Sequence, residues 1–572
     1  SMGLIGLGAI NSWEIKFRMS DTQIVIPMSG YGERFRRAGY DVPKPLIEVE
    51  GKPIIAHVID MFPNESDFLF ICNQDHLDSR KYALEKTLNR YCPSGKIASV
   101  KPHKLGPVHA VLQSKKFINS QKPVVVNYCD FTCYWQWDKF LNFVNDLQCD
   151  GAIPAYKGFH PHSLGNTFYA YLNEKNGWVS DVREKEPFTD KPMEEYASSG
   201  TYYFSSGQLM IKSFDEMVNQ DLRVGGEYYV SLAYKSLLEQ RKRIAVYPIQ
   251  HFMQWGTPED FEEYLDWSNI YRSFLEPEKK EKVQGAVIIP MAGEGARFRD
   301  AGYKTPKPFI PIDGSFMVEK AANYLPNVER HIFVARNGMK GLKESLNTLR
   351  RSYPNAIMEV LSKTTEGQAS TALSGLSALQ QVYSDSDSEP VTIGACDNAC
   401  IYNHDLLKEL IDDEEIDVLV WVKRGHASAI RYPEMFGWVA SDMDSRVKNI
   451  SVKKPLDDPR HDPIVTGTFT FKNPRHFRKS VDSMIDRSGK INGEYYIDEC
   501  INDAISMGLR CYMFEVDHYI SWGTPNDLET YRYWQSCFHK WASHPYLLES
   551  DSQIDPSSIS SLSYVMDQKL TR

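Results

Sequence analysis

A short segment near the start of the chain combines the residue types that bind a polyphosphate. Gly30-x-Gly32-x-Arg34 follows an apolar run, and Lys44 stands between two prolines ten residues further on. Glycines let the backbone turn sharply and approach a ligand, consecutive amides can cradle phosphate oxygens, and an arginine adds a planar set of donors. The flanking prolines restrict the backbone around Lys44. The spacing predicts a phosphate-binding loop, and it fits neither the dinucleotide fingerprint nor the P-loop.

The same segment recurs in the second half of the chain. Gly293-x-Gly295-x-Arg297 is followed by Lys307 with unchanged spacing. Later landmarks return in the same order, namely Cys-Asp-x-x-Cys, Ser/Thr-Gly-Thr, Gly-Glu-Tyr-Tyr and Trp-Gly-Thr-Pro. Landmarks in register over about 230 residues indicate a duplicated domain, because solenoid repeats have much shorter periods.

The repeat sets the predicted domain organisation. We expect a flexible leader or tag at 1–20, a first domain at 21–274, a charged linker at 275–284, a second domain at 285–543 and a C-terminal tail at 544–572. The tail is Ser-rich and expected to be mobile, although Tyr546, Leu547 and Leu548 could dock.

Short β-branched runs alternate with longer helical patterns inside each domain. In the first domain this alternation predicts strands at 24–28, 68–72 and 124–127 and helices at 54–61 and 81–88. The fold class is therefore α/β: two tandem Rossmann-like domains, each a mostly parallel sheet with helices on both faces. Ligands of such sheets bind at the carboxyl ends of the strands.

Composition excludes several classes of function. The chain has 42% hydrophobic and 24% charged residues, as soluble globular proteins do, and its net charge of -10 argues against nucleic acid as a partner. No apolar run is long enough to span a membrane. Ten cysteines in 572 residues are too few for a disulfide scaffold, which favours a cytoplasmic location.

The strand, Gly-x-Gly-x-Arg, Pro-Lys-Pro and Gly-Lys-Pro of the first half together resemble the nucleoside-diphosphate-sugar pyrophosphorylases, or sugar nucleotidyltransferases. The resemblance extends to the second half through its strand, Gly-x-Gly-x-Arg and Pro-Lys-Pro. The resemblance implies transfer of a nucleoside monophosphate from a nucleoside triphosphate to a sugar-phosphate or polyol-phosphate, with release of pyrophosphate, for carbohydrate biosynthesis. It implies catalytic charges at Arg34, Lys44, Arg297 and Lys307. It also implies nucleotide-binding positions at Gly30, Tyr31, Gly32, Gly106, Gly293, Glu294, Gly295, Gly367 and Gln368.

The resemblance further implies a Mg²⁺ cofactor. Asp130 and Asp397 each follow an apolar strand at the position where the family binds the metal. A helix-capping aspartate is the alternative. The family's second acidic ligand is replaced by Gln254 and Ser521, which leaves the metal geometry open. The neighbouring Cys-x-x-x-Cys pairs lack a second pair with zinc-site spacing and are interpreted as buried thiols.

The acceptor site is predicted from a Glu-Lys-Pro-like element. Glu184 and Lys185 occupy it in the first half, whereas Lys453 in the second half has lost the preceding glutamate. The substrate-binding residues implied are Glu184, Lys185, Gly200, Glu227, Lys453, Gly467 and Glu494. His251 and His518 lie nearby in matching places, where a structural hydrogen-bonding role is favoured over a contact with phosphate or metal.

Two alternatives stay open at this point. One half could be a degenerate nucleotide- or sugar-binding regulatory module, as the altered residue before Lys453 suggests. A glycosyltransferase of related fold is the other alternative, although Asp130 and Asp397 lack its Asp-x-Asp pair. The sequence leaves open a homo-oligomer, the nucleotide and the acceptor. It predicts that the two halves differ and that the first is better suited to sugar-phosphates.

Overall fold

The computed structural model describes residues 21–276 and 280–568. The predicted leader, three residues of the predicted linker and the last four residues of the tail lie outside these ranges. The chain divides into two compact units, with the division between Pro258 and Glu259. Each unit is built around one large sheet flanked by helices.

The first unit contains a ten-stranded sheet. Its strands, in spatial order, are Tyr196–Ser198, Ala170–Lys175, Trp178–Glu184, Ile244–Pro248, Gly151–Tyr156, Thr201–Phe204, Val124–Asn127, Gln23–Met28, Phe68–Asn73 and Lys96–Val100. Two-stranded ribbons are formed by Phe131–Tyr134 with His251–Gln254 and by Glu48–Val49 with Lys52–Pro53. The helices are Glu33–Arg37, Ile54–Asp60, Gln74–Asp78, Leu84–Tyr91, Pro107–Gln113, Trp137–Leu147, Gly207–Asn219 and Val230–Glu239.

The second unit contains a nine-stranded sheet. Seven strands follow one another in the spatial order Ile357–Leu361, Arg330–Arg336, Ala286–Pro290, Val391–Ile393, Ile464–Phe471, Val418–Lys423 and Cys511–Glu515. Gly437–Ser441 pairs with Ile464–Phe471 and with Val447–Val452. The ribbons are Asn398–Ile401 with His518–Ser521 and Pro311–Ile312 with Ser315–Phe316. The helices are Pro258–Ser273, Ala296–Asp300, Met317–Asn323, Leu342–Ser352, Gln368–Val382, His404–Asp412, Ala427–Arg431, Pro474–Asp486, Ile497–Ser506, Pro525–Lys540 and Ile559–Gln568.

The sheets are mixed, so the prediction of a mostly parallel sheet was wrong in this detail. Gln23–Met28 is parallel to both of its neighbours, as the alternating pattern requires. Thr201–Phe204, however, lies antiparallel between two strands, and Ile464–Phe471 does the same in the second unit. The hairpin of Ala170–Lys175 and Trp178–Glu184 adds further antiparallel pairs. Among these pairs only the hairpin has a short connection, and hydrophobic periodicity does not reveal strand direction.

Helices cover both faces of the sheet, as predicted. Ile288 in the second unit packs in a cluster with Leu376 of helix Gln368–Val382, whereas the adjacent Ile289 packs in a different cluster with Leu349 of helix Leu342–Ser352. Because successive side chains of a strand point to opposite faces, the two clusters lie on opposite sides of the sheet.

The second unit begins earlier than the predicted end of the first domain at 274. Helix Pro258–Ser273 contributes to it, because the Tyr271 hydroxyl donates to the Tyr531 carbonyl at 2.7 Å and Ser268 Oγ lies 3.0 Å from His544 Nε2. The repeated Trp-Gly-Thr-Pro motif therefore marks the duplication but not the boundary between the packed units.

The start of the tail is docked, as the sequence allowed for Tyr546 and Leu548, and a helix follows that the Ser-rich composition did not predict. Tyr546 and Leu548 are fully buried, and residues 559–568 form a helix. The Tyr546 hydroxyl donates to Asp551 Oδ2 at 2.7 Å, a bond that a serine-rich composition does not indicate. None of the helices within the described ranges combines the length and apolar composition needed to cross a bilayer.

Candidate active site

The phosphate loops have the same backbone shape in both units. Gly32 and Gly295 have φ angles of +63° and +60°, in the left-handed region that favours glycine, and each precedes a five-residue helix. Beside Gly30 and Gly293 there is open space where a side chain would otherwise stand. Both loops can therefore approach a ligand closely, as the sequence predicts.

Each loop is joined to the predicted metal-binding aspartate by the lysine. Lys44 Nζ donates to Asp130 Oδ2 at 3.1 Å, and Lys307 donates to Asp397 in the same way. Burial by itself would lower the pKa of Lys44, but the charge of Asp130, its hydrogen bond to Lys44 and the neighbouring Cys129 together outweigh burial and raise the pKa above its usual value. The same balance acts on Lys307. Both lysines are therefore held as cations beside a carboxylate.

Asp130 and Asp397 do not cap a helix. Each stands in the short connection between a central sheet strand and a ribbon strand, Phe131–Tyr134 or Asn398–Ile401. Arg34 and Arg297 lie close enough for their positive charge to act on Lys44 and Lys307, respectively. The structure thus brings together the arginine, lysine and aspartate that the sequence separates by almost a hundred residues.

A glycine next to each aspartate leaves a cradle lined by oxygen atoms. A Cβ atom placed on Gly256 would lie 3.0 Å from Asp130 Oδ2 and 3.2 Å from Gln254 Oε1. At Gly523 the corresponding distances are 3.1 Å to Asp397 Oδ2 and 3.4 Å to Ser521 Oγ. A carboxylate and a neutral oxygen are ligands that Mg²⁺ accepts, with substrate phosphates and water completing its shell. The residues present therefore fit a magnesium ion, with one protein carboxylate at each site.

The thiols and histidines near the cradle take other roles. Burial raises the pKa of Cys129 and Cys396 to about 12, so both stay as neutral thiols. His518 Nδ1 lies 2.8 Å from Asp266 Oδ1, which agrees with the structural role favoured for this histidine. His251 is buried in its ribbon strand.

The residues predicted to bind the acceptor in the first unit take part in two hydrogen-bonded groups. Lys185 Nζ donates to the Tyr229 hydroxyl at 2.8 Å, and that hydroxyl donates to Glu227 Oε2 at 2.5 Å. Glu184 Oε2 accepts a hydrogen bond from Ser231 Oγ at 2.6 Å. Burial raises the pKa of Glu184 to about 7, although Ser231 and Lys185 oppose this shift.

The second unit has an acidic residue that the sequence reasoning missed. Lys453 Nζ donates to the Met435 carbonyl at 2.6 Å, and the Tyr496 hydroxyl donates to Glu494 Oε2 at 2.9 Å. Asp498, on helix Ile497–Ser506, lies close enough for Lys453 to act on its charge. Lys453 has lost the preceding glutamate, as the sequence shows, and Asp498 stands near it instead. The signal was available in the repeat, because Asp498 aligns with Ser231.

The Gly-rich turns predicted to read the base have a packing role of their own. A Cβ atom on Gly106 would lie 2.9 Å from the backbone nitrogen and oxygen of Tyr228, and one on Gly367 would lie 2.6 Å from those of Tyr495. Hydrogen bonds from Tyr228 N to the Leu105 carbonyl and from Val108 N to the Tyr228 carbonyl hold the first turn. Each turn is thereby fixed against the Gly-Glu-Tyr-Tyr motif.

The remaining predicted residues are placed as follows. The Tyr31 hydroxyl donates to Asp75 Oδ2 at 3.3 Å, while Glu294 at the matching position is exposed. Gly200 and Gly467 have φ angles of +101° and +96°. Gln368 is the first residue of helix Gln368–Val382.

Comparison with known proteins finds similarity to sugar nucleotidyltransferases. Residues 24–239 match the nucleotidyl transferase family. The catalytic subunit beta of mannose-1-phosphate guanylyltransferase from Drosophila pseudoobscura pseudoobscura is 24% identical over 294 residues, 48% of this chain and 72% of that protein. Bifunctional protein GlmU from Methanococcus vannielii is 24% identical over 268 residues, 46% of this chain and 58% of that protein.

The first unit is an α/β domain in which a lysine that follows the glycine loop contacts an aspartate at the end of a central strand. The match to the nucleotidyl transferase family lies within this unit. Among solved structures, a nucleoside-diphosphate-sugar pyrophosphorylase from Vibrio cholerae is similar at 20% identity, with a TM-score of 0.36, covering 43% of this chain and 98% of that one.

Proposed function

We propose that the chain transfers a nucleoside monophosphate from a nucleoside triphosphate to a phosphorylated sugar or polyol and releases pyrophosphate. The observation that carries this proposal is the lysine–aspartate pair at the base of the phosphate loop, formed by Lys44 with Asp130 and repeated by Lys307 with Asp397. A cation fixed beside a hard-metal ligand suits a reaction in which negative charge moves between phosphates.

The proposed reaction needs positioning more than covalent help from the protein. An oxygen of the acceptor phosphate attacks the α-phosphorus, and the bond to the pyrophosphate oxygen breaks on the opposite side. Arg34 and Lys44 neutralise charge on the α-phosphate and on the departing pyrophosphate. Lys185 and Glu227, linked through Tyr229, hold the acceptor. Fixing both substrates in line supplies much of the rate gain.

Magnesium is part of the proposal. Asp130 and Gln254, and in the second unit Asp397 and Ser521, would hold it beside Gly256 and Gly523. When bound, the ion neutralises phosphate charge. Because Lys44 and Asp130 satisfy each other without substrate, both change partners when the triphosphate enters.

The second unit is proposed to be a second nucleotidyltransferase domain. The support is its strand order: the seven strands from Ile357–Leu361 to Cys511–Glu515 follow one another as do their counterparts from Lys96–Val100 to Ile244–Pro248. The phosphate loop and the cradle recur on this scaffold. A cytoplasmic location, also proposed, rests on cysteines that remain thiols.

The test measures pyrophosphate released by the full-length chain with each nucleoside triphosphate, Mg²⁺ and a panel of sugar and polyol phosphates. We expect release only when all three components are present. Lys44→Met combined with Lys307→Met should reduce it at least about a hundredfold. Lys52→Met is the matched control, because Lys52 lies on the same segment but binds the surface residue Asp60.

Three outcomes would contradict the proposal. Pyrophosphate release without an acceptor indicates a hydrolase that the site residues do not explain. Sugar transfer from a nucleoside-diphosphate sugar, without pyrophosphate release, supports the glycosyltransferase alternative. Unchanged activity in the variant that lacks both lysines would show that the lysine–aspartate pair is not needed for the reaction.

A further inference from the structure

The acceptor lysines of the two units have closely matching surroundings. Lys185 and Lys453 both have left-handed backbone conformations, with φ angles of +62° and +58°. Each ammonium group lies over a tyrosine ring, 4.7 Å from the centroid of Tyr229 and 5.3 Å from that of Tyr496. A left-handed conformation is strained for lysine and persists only where the surrounding structure imposes it. The second unit therefore keeps both features that position the lysine side chain, the left-handed backbone and the tyrosine ring.

In the first unit the carboxylate beside the lysine comes from a strand. Glu184 ends the strand Trp178–Glu184, and its direct neighbour on the adjacent strand is Ala170. Ser231, near the start of helix Val230–Glu239, donates its hydroxyl to the Glu184 carboxylate. Three elements thus meet around one acid: two strands and a helix.

The second unit keeps the three elements but moves the acid. Val452 stands at the strand position of Glu184, its cross-strand neighbour is Gly437, and Asp498 stands at the helix position of Ser231. A methyl group on residue 437 would collide with the Asp498 carboxylate. The Ala170, Glu184 and Ser231 set of the first unit is therefore matched by Gly437, Val452 and Asp498, and the missing methyl group makes room for the relocated acid.

The electrostatic setting of the two acids is similar. Burial raises the pKa of Glu184 to about 7 and that of Asp498 to about 6, and the neighbouring lysine opposes the shift in each case. Within the described ranges, no ion pair joins Lys453 to Asp498 or Lys185 to Glu184, and each lysine instead donates to a neutral oxygen. A half-buried lysine and a half-buried carboxylate that form no ion pair with each other can both bind a ligand that enters between them.

We propose that Asp498 is the carboxylate that accepts hydrogen bonds from the hydroxyl groups of the phosphorylated acceptor in the second unit. Together with Lys453, which binds the acceptor phosphate, it forms a site equivalent to that of Glu184 and Lys185. The inference rests on the proposed function and extends it, because it makes the second unit a binding site for a polyhydroxylated phosphate ester. It argues against a module that has lost its acceptor.

The experiment uses the full-length chain carrying Lys185→Ala, which removes the first acceptor site, as the parent. Calorimetry measures binding of glucose 1-phosphate, mannose 1-phosphate and glycerol 3-phosphate, with and without Mg²⁺ and α,β-methylene nucleotides. We expect Asp498→Asn to weaken binding of the best acceptor about tenfold or more, since a charged hydrogen bond is lost. Binding of inorganic phosphate, which has no carbon-bound hydroxyl, should stay within about twofold. Lys453→Ala should weaken both.

A transplant separates recognition from a merely structural effect. Gly437→Ala, Val452→Glu and Asp498→Ser together rebuild the arrangement of the first unit in the second, and we expect binding of the sugar phosphate to return to within about threefold of the parent. The pair Val452→Glu with Asp498→Ser serves if the triple variant does not fold. Glu499→Gln is the control on the same helix, because Glu499 binds Arg487.

Several results would overturn the inference: acceptor binding within about twofold of the parent in Asp498→Asn, a folded transplant that does not regain binding, or a parent that binds none of the phosphate esters. Failure of the proposed function is distinguishable from these. A parent that binds sugar phosphates through Asp498 but releases no pyrophosphate with any nucleotide would refute the transferase and leave the acceptor site in place.

Discussion

The pair of Lys44 and Asp130 is repeated by the same residue types in the second unit, as Lys307 and Asp397, whereas Glu184 beside Lys185 is replaced by an acid from another element, Asp498. In both units the lysine–aspartate pair joins the segment after the glycine loop to the end of a central strand. The acceptor carboxylate has only to place a charge within reach of a hydroxyl group. Asp498 can therefore supply from a helix what Glu184 supplies from a strand.

The largest expected effect comes from variants of the two aspartates, which test whether the two lysine–aspartate pairs have the same role. Asp130→Asn and Asp397→Asn should each reduce turnover in their own unit by about 10²–10³, because the metal loses its carboxylate and the lysine its partner. Pyrophosphate release by the single and double variants measures this. If either single variant keeps full activity with every substrate, the lysine–aspartate pair has different roles in the two units.

The next effect is steric and concerns the site of Lys453 and Asp498 in the second unit. Gly437→Ala should lower the free energy of unfolding by about 1–3 kcal/mol, because the added methyl group meets the Asp498 carboxylate. In the Asp498→Ser background the same change should have little effect. Chemical denaturation of the four chains in this cycle measures the coupling, and additive effects would mean that Gly437 and Asp498 are independent.

The third effect concerns the neutral oxygen of the cradle. Gln254→Asp should tighten binding of Mn²⁺ to the nucleotide-free chain by about tenfold, because a second carboxylate joins Asp130 beside Gly256. Ser521→Asp should do the same at Gly523. Electron paramagnetic resonance of free Mn²⁺ gives the affinity without any turnover. Unchanged Mn²⁺ affinity in both variants would show that Gln254 and Ser521 do not bind the metal.

The smallest effect is a difference in pH dependence. The carboxylates must be ionised to accept hydrogen bonds from hydroxyl groups, so acceptor affinity falls as pH falls through each pKa. With pKa values of about 7 for Glu184 and about 6 for Asp498, lowering the pH from about 7.5 to about 6.5 should weaken binding about threefold in the first unit and about 1.3-fold in the second.

Burial raises both pKa values, Lys185 and Ser231 oppose the shift at Glu184, Glu227 adds to it, and Lys453 opposes it at Asp498. Calorimetry of Lys185→Ala and Lys453→Ala chains across this range isolates each site. If acceptor affinity changes equally with pH at the two sites, the predicted difference between the pKa values of Glu184 and Asp498 is wrong.

Sequence patterns predicted the central strands well and their directions less well. Phe68–Asn73 and Val124–Asn127 lie where β-branched runs predict strands. The antiparallel strand Thr201–Phe204 changed the sheet type, because direction depends on how the chain returns and not on the residues of the strand. Helix Pro258–Ser273 was assigned to the wrong unit for a similar reason, since its packing partners are distant in sequence.

The sequence by itself determined the doubled phosphate loop, the lysine that follows it and the aspartate after the strand, because each is a local pattern that occurs twice with fixed spacing. Only the tertiary structure brought Gln254 beside Asp130 and Asp498 into the place of Glu184. Those relations depend on strand register and on the docking of a helix. A charge in a folded protein acts through space, so the residue that carries it need not keep its position in the chain.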